Sequence, residues 1–534
     1  MISKNKKEKN KIPKPIVLII LDGWGINTPF PGNAISSANT PFMDSLIREY
    51  PSTTIRASGE SVGLPWGRAG NSEVGHLNLG LGRVLYQDLP RINRSIANKS
   101  FFQNPVLLES IKHVKENNSQ LHFLGLVSNG GVHSSIDHLH ALLKLAKKNN
   151  IKKVFIHAIL DGRDVPLDSG LNFIKNLKRS LKEYNIGKIA TLSGRFYAMD
   201  RNNNWDRTEK AYASYVFAQG NKSSDVEEAI NLSYRKKVYD EEFVPTVIYE
   251  DGKAVGEIKD GDALISFNFR PDRARQIIKA LISDKNAQLR KKKKFKNLLV
   301  STFTEYEKNL NVLVVFPPEE IKNTLGHVLA QNNLKQLRIA ETEKYAHVTY
   351  FFNGGAEEAE EGEDHILIPS PNVESYDLKP EMSADRITKK VVEMVHKNIY
   401  DFILINYANS DMVGHTGNLK AAIKAVSFLD TCVKRVVEGV LAQDGCVIIT
   451  ADHGNADIMF NMQTGQVDKE HTTNPVPFIL VSREYQGKSF GWQNFSGEDL
   501  SVVAPQGILA DVAPTILKLF NLQKPDIMTG QSLI

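Results

Sequence analysis

The chain is poor in cysteine. Only Cys432 and Cys446 occur in 534 residues, both among apolar neighbours, which excludes a disulfide scaffold and fits a reducing compartment. Long apolar runs are missing too. None approaches the ~18 residues of a membrane span, so no membrane partner is expected. Met1 to Lys14 are rich in Lys and Asn and lack the apolar centre of a secretory signal. They read as a disordered basic tail, and the cytoplasm is the expected location. Net charge is small, +5 with 24% charged residues, and much of it is local, so it says little about nucleic acid, which is not expected as a partner. The basic run Arg290 to Lys296 reads as solvated surface, and the acidic stretch Glu357 to Asp364 as an exposed loop. No repeat at a solenoid period occurs. The length implies two or three domains.

What the chain has is a recurring design. Short apolar, β-branched runs each end in a polar cluster. Pro15 to Leu21 runs into Asp22-Gly23, Leu121 to Val127 into Ser128-Asn129-Gly130-Gly131-Val132-His133, and Lys153 to Leu160 into Asp161-Gly162-Arg163-Asp164. Ile189 to Leu192, Ala263 to Phe267, Phe402 to Tyr407 and Val447 to Thr450 follow the same rule. Helical patterns such as Leu139 to Lys148 and Leu419 to Leu441 separate them. This predicts an α/β protein with mostly parallel sheets, whose ligands bind beyond the carboxyl ends of the strands.

Sorted by chemistry, the clusters form two groups. Asp22, Asp411, His415, Asp452, His453 and His471 are metal-ligand types and lie near the two ends of the chain. His133, Arg163, Asp164, Arg195, Arg201, Arg270 and Arg273 are anion-binding types and lie in its middle. The simplest architecture is a metal-binding domain of residues 15–86 and 321–534, interrupted by an inserted substrate-binding domain of residues 87–320. Mixed carboxylate and imidazole ligands suit a pair of divalent ions, Mn²⁺ or Zn²⁺ by ligand type, with Mn²⁺ the expected metal in the cell. Ser72, in Gly70-Asn71-Ser72-Glu73-Val74-Gly75-His76, is the candidate nucleophile, and a neighbouring ion would activate it. The competing reading is that Ser72 merely caps a helix. Guanidinium forks bind phosphate and carboxylate bidentately, so the arginines suit a substrate with two anionic groups.

Taken with Gly194 to Arg201, Phe269 to Arg273, Ala340 to Tyr345, Asp411 to Gly417, Thr450 to Asp457 and His471 to Pro477, these stretches resemble the cofactor-independent (2,3-bisphosphoglycerate-independent) phosphoglycerate mutases of the alkaline phosphatase superfamily. The resemblance implies an alkaline-phosphatase-like three-layer α/β/α domain split by an α/β transferase domain. It implies interconversion of 3- and 2-phosphoglycerate without bisphosphoglycerate, by a monomer. By matching motif, Asp411, His415 and His471 would hold one ion, and Asp22, Ser72, Asp452 and His453 the other. Ser72 would become phosphoserine. His133, Arg163, Asp164, Arg195, Arg201, Arg270, Arg273 and Lys344 would bind phosphoglycerate, with Asp164 the proton acceptor. Domain closure would exclude water. The stretch Trp66-Gly67-Arg68-Ala69 and Glu470 depart from the family's pattern. Rival functions are a metal-dependent phosphatase or phosphodiesterase, a phosphopentomutase-like enzyme, and a non-enzymatic binding protein.

Overall fold

The computed structural model describes residues 12–285, 287–319, 321–490 and 499–534. Most of the basic tail, residues 1–11, lies outside the described residues. Lys14, at its end, is ion-paired with Asp401 at 2.8 Å. The chain forms two compact units, Met1–Gln87 with Glu320–Ile534, and Asp88–Glu319. Among the described residues no helix is long and apolar enough to cross a membrane.

The first unit is built on an eight-stranded sheet. From one edge its strands are Glu363–Ile368, Gln336–Glu341, Phe402–Tyr407, Ile16–Leu21, Cys446–Thr450, Val476–Val481, Ser52–Arg56 and Gly507–Ile508. The first five run parallel. Val476–Val481 is antiparallel to both its neighbours. Every residue of Ile16–Leu21 is fully buried, as expected of a strand covered on both faces. Each such side chain contributes about 1.5–3 kcal/mol. Helices Ala384–Lys397 and Leu419–Ala442 pack together, with Val391, Val433 and Val437 in the same core as the strand. Because Gln336–Glu341, Phe402–Tyr407, Ile16–Leu21 and Cys446–Thr450 are adjacent and parallel, all four end on one edge of the sheet. The residues that follow them are Lys344, Asp411, Asp22 and Asp452.

The second unit repeats the principle. Its sheet runs in the order Leu313–Val314, Leu299–Thr302, Ala263–Ser266, Leu121–Leu126, Val154–Leu160, Lys188–Gly194, Thr246–Glu250, Asn221–Ser223. The first six strands are parallel, and Lys253–Ala254 pairs with Thr246–Glu250. Apolar clusters cover it, one around Phe123, Leu142 and Phe267, another around Leu124, Tyr215 and Ile278. The carboxyl ends of four neighbouring strands deliver Arg270, His133, Asp164 and Arg195 to one edge.

The acidic stretch corrects one expectation. Glu363 is not in an exposed loop but begins the edge strand Glu363–Ile368. Its carboxylate is buried against Arg338, 3.2 Å away, and accepts from Asn353 at 2.8 Å. Arg338 sits fully buried between the rings of Phe352 and Phe402. A buried guanidinium demands a counter-ion, and only a carboxylate from the neighbouring strand reaches it. Burial pushes Glu363 up, but Arg338 and His365 outweigh it and hold its pKa at about 2. The folded value lies below the ordinary 4.5, so this contribution is complete above that pH and is lost as the pH falls toward 2. Glu363→Gln is expected to cost about 3–5 kcal/mol, because it strands a buried charge. A lowered thermal midpoint reads this, and Arg338→Met in the same chain should restore much of it.

Candidate functional site

Ser72 is the first residue of helix Ser72–Leu81, and the cap is its neighbour. The Asn71 side chain accepts from the Val74 N–H at 2.9 Å. Capping is therefore done without the serine, whose hydroxyl is left for other partners. Three surround its Oγ: Lys344 Nζ at 2.7 Å, His453 Nε2 at 3.0 Å and Asp22 Oδ1 at 3.2 Å. Close backbone approach fixes this corner. A Cβ on Gly75 would lie 2.7 Å from the Asp452 carbonyl oxygen, so only glycine lets the helix pass the strand end.

Lys344 lies with the carboxylates of the first unit, a placement its grouping with the arginines did not anticipate. Its ammonium donates to Asp22 Oδ1 at 2.7 Å and Asp411 Oδ2 at 2.6 Å. Asp22, Asp411 and Asp452 are all buried, so three carboxylates face one ammonium. Burial and the nearby Asp452 push Asp22 well up. Asp411 is also pushed up by burial, but Lys344 and the imidazoles of His415 and His471 hold it well below the usual range. Asp452 is held low by His453 and His76 against the same burial. The cluster carries excess negative charge in a place where unpaired charge is costly.

Three polar atoms converge beside it. His415 Nδ1 faces the Lys469 carbonyl at 2.8 Å and His471 Nδ1 faces the Gly70 carbonyl at 2.9 Å. A carbonyl accepts only, so each Nδ1 carries a proton and each Nε2 is turned toward Asp411. The two Nε2 atoms nevertheless stand 3.0 Å apart, and each is 3.2 Å from Asp411 Oδ1. Such a convergence needs a proton or a metal cation among the three atoms, and the Asp411 carboxylate accordingly raises the His415 pKa. Carbonyl acceptors orienting the ring from its far side are the usual outer shell of a metal site. The donor sets Asp411/His415/His471 and Asp22/Asp411/His453 each converge closely enough to hold an ion. Both fit a divalent cation.

Two residues without an assigned role complete the set. Asn406 donates to Asp22 Oδ2 at 2.8 Å and faces His76 Nε2 at 3.0 Å. His76 Nδ1 meets the Ser72 carbonyl at 2.8 Å and Asp452 Oδ2 at 3.2 Å. The signal for Asn406 is a polar residue inside an otherwise apolar strand. His76 is four residues after the serine, one helical turn on.

In the second unit the arginines are not equally free. Arg195 is buried, and its Nη1 joins Asp161 Oδ1 at 2.5 Å and Asp164 Oδ2 at 2.7 Å. Arg163 reaches Glu241 at 3.4 Å. Arg201 and Arg270 each take one oxygen of Asp272, at 2.8 and 3.0 Å. Among the described residues, Arg273 donates a hydrogen bond to the Met199 carbonyl, at 3.4 Å. Burial, and then the charges of Arg201, Arg195 and Arg163, push Arg273 down. Its guanidinium therefore lies among the others. Burial and Arg195 lower His133 to about 4, so its ring is neutral at physiological pH. Asp161 and Asp272, unassigned from sequence, lie in the same motifs as the arginines.

Residues 14–524 match the metalloenzyme superfamily. Curated relatives named 2,3-bisphosphoglycerate-independent phosphoglycerate mutase include one from Clostridioides difficile (strain 630), 50% identical over 522 residues, covering 98% of this chain and 99% of the relative. Another, from Acetivibrio thermocellus, is 47% identical with the same coverage. Among solved structures, that of Leishmania mexicana phosphoglycerate mutase at low cobalt concentration is 29% identical, covers 98% of both chains and has a TM-score of 0.50. With that likeness running through nearly its whole length, and with a buried carboxylate–imidazole cluster around a serine, the chain belongs to the 2,3-bisphosphoglycerate-independent phosphoglycerate mutases of the metalloenzyme superfamily.

Proposed function

We propose that the protein interconverts 3-phosphoglycerate and 2-phosphoglycerate through a phosphoserine at Ser72, without bisphosphoglycerate, as a cytoplasmic monomer. The observation that carries the reading is the surrounding of Ser72 Oγ by Lys344, His453 and Asp22 at 2.7–3.2 Å. His453, which burial lowers to about 4, is neutral but is assigned to the metal ligands, and the nearest partner of the hydroxyl is the Lys344 ammonium. Cationic stabilisation of the oxygen is therefore the activating principle.

Two divalent ions, Mn²⁺ in the cell, are assigned to the cluster. Asp411, His415 and His471 would hold one, and Asp22, Ser72, Asp452 and His453 the other. When bound, they supply positive charge that lowers the proton affinity of the serine oxygen and neutralises the phosphoryl group. The Lys344 ammonium adds to that charge and keeps the serine oxygen aimed. Ser72 Oγ attacks phosphorus in line, the bond from phosphorus to the glycerate oxygen breaks, and glycerate is released from the phosphoryl group but not from the protein. His133, Arg163, Arg201, Arg270 and Arg273 hold its carboxylate. Arg195 acts on Asp164, fixing one carboxylate oxygen. Asp164 accepts the proton of the hydroxyl that returns to attack phosphoserine.

A phosphatase would share the metal half but has no use for a returning acceptor. The arginine cluster and the oriented Asp164 favour the mutase.

Ser72→Ala is expected to abolish turnover by at least about 10³-fold, the scale for a lost covalent nucleophile, with the melting profile and calorimetric binding of the Mn²⁺ assigned to Asp411, His415 and His471 largely retained. Retained isomerisation would contradict the assignment. His471→Ala is expected to weaken binding of one of two Mn²⁺ equivalents by about tenfold or more, seen in the calorimetric stoichiometry curve. Two undisturbed equivalents would remove His471 from the ligand set.

A further inference from the structure

Asp272 has no part in the reaction described above, yet it lies among the groups that hold the substrate. It belongs to the first turn of helix Pro271–Leu281, where an acid is favoured by the helix dipole. That accounts for an acid at this position but not for its contacts. Its two oxygens are taken by different guanidiniums, Oδ2 by Arg201 Nη1 at 2.8 Å and Oδ1 by Arg270 Nε at 3.0 Å. His133 Nδ1, buried and without a hydrogen-bond partner, stands 3.8 Å from Oδ1. Two arginines and a histidine around one carboxylate form the kind of cradle that takes a carboxylate or phosphate from a ligand. Burial pushes Asp272 up, but the guanidiniums of Arg201 and Arg270 outweigh it and hold it ionised.

We propose that Asp272 is a resident counter-ion, an internal carboxylate that occupies the guanidiniums of Arg201 and Arg270 until a substrate's anionic group competes for them. The inference rests on the reading of the chain as a phosphoglycerate mutase, and it adds a specificity-determining residue to it. Without a resident anion, a cluster of Arg163, Arg201, Arg270 and Arg273 would bind any small anion in the cell and hold its product too long. With Asp272 in place, a ligand gains only the difference between its own contacts and those it displaces. Arg273 feels the charge of Asp272 but makes no direct ion pair with a carboxylate among the described residues, and so remains open to receive the first anionic group. Arg201 and Arg270 then exchange Asp272 for the ligand, and Asp272 takes them back as product leaves.

The sign of the effect separates this role from a structural one. A residue that merely positions arginines weakens anion binding when it is removed. A competitor strengthens it. The test is calorimetric binding of glycerate, a carboxylate without a phosphoryl group, to the Mn²⁺-loaded full-length protein and to Asp272→Asn. The expected result is binding about tenfold tighter in the variant, the scale of one released charge-assisted contact. Asp272→Ser should show the same direction, so the prediction survives a folding defect in either variant. Asp272→Asn/Arg273→Gln should lose the gain, which places the probe on the arginines rather than on the metal cluster. In steady state with 3-phosphoglycerate, Asp272→Asn should lower KM and kcat together. Unchanged or weaker glycerate binding in both single variants would overturn the proposal, as would a gain that survives loss of Arg273. Failure of the wild-type protein to form 2-phosphoglycerate would instead overturn the mutase reading, because glycerate binding is read without turnover.

Discussion

The structure of the first unit depends on an electrostatic debt. Three buried carboxylates, Asp22, Asp411 and Asp452, are opposed by one ammonium, Lys344. Buried charge is stable only when paired, and the protein supplies too little positive charge of its own. The Nε2 atoms of His415 and His471, 3.0 Å apart with backbone carbonyls behind the rings, likewise converge where a cation is needed. Divalent cations resolve both. The serine sits where that positive charge is concentrated, so the constraint that shapes the core also sets the chemistry at its edge.

Parallel strands make the arrangement cheap in sequence. Four adjacent strands end on one sheet edge, and each needs only one or two polar residues past its last apolar position to contribute. Both units use the device, one for carboxylates and imidazoles, the other for guanidiniums. The second unit balances its charge internally. Asp161 and Asp164 take Arg195, Glu241 takes Arg163, and Asp272 takes Arg201 and Arg270. The carboxylate cluster of the first unit is short of cations, whereas the arginine cluster of the second is nearly compensated.

The strands were legible because full burial leaves an unmistakable run of β-branched residues. Phe402–Tyr407 and the segments ending at Asp22, Asp161 and Asp452 show it plainly. The polar residue just beyond such a run has few reasons to be there, and this brought Asp22, Asp411, Asp452 and Arg195 to notice. Other features were hidden because their meaning lies across the fold. Nothing in Glu357 to Asp364 says that Glu363 meets Arg338, which is 25 residues away in sequence. Lys344 reads as one more cation until the sheet sets it beside Asp22 and Asp411. Asn406 and His76 have their significance only as partners of Asp22 and of each other. Asn71, not Ser72, caps the helix, a distinction of one residue that decides whether the serine oxygen is occupied.

The most direct measurement is phosphorus NMR of 3-phosphoglycerate incubated with the Mn²⁺-loaded protein and no added bisphosphoglycerate. The account predicts that a 2-phosphoglycerate resonance grows to a constant ratio while inorganic phosphate stays near background. Steady accumulation of inorganic phosphate, without 2-phosphoglycerate, would contradict it: the serine and its cations would then pass the phosphoryl group to water, and the arginine cluster would not be retaining glycerate.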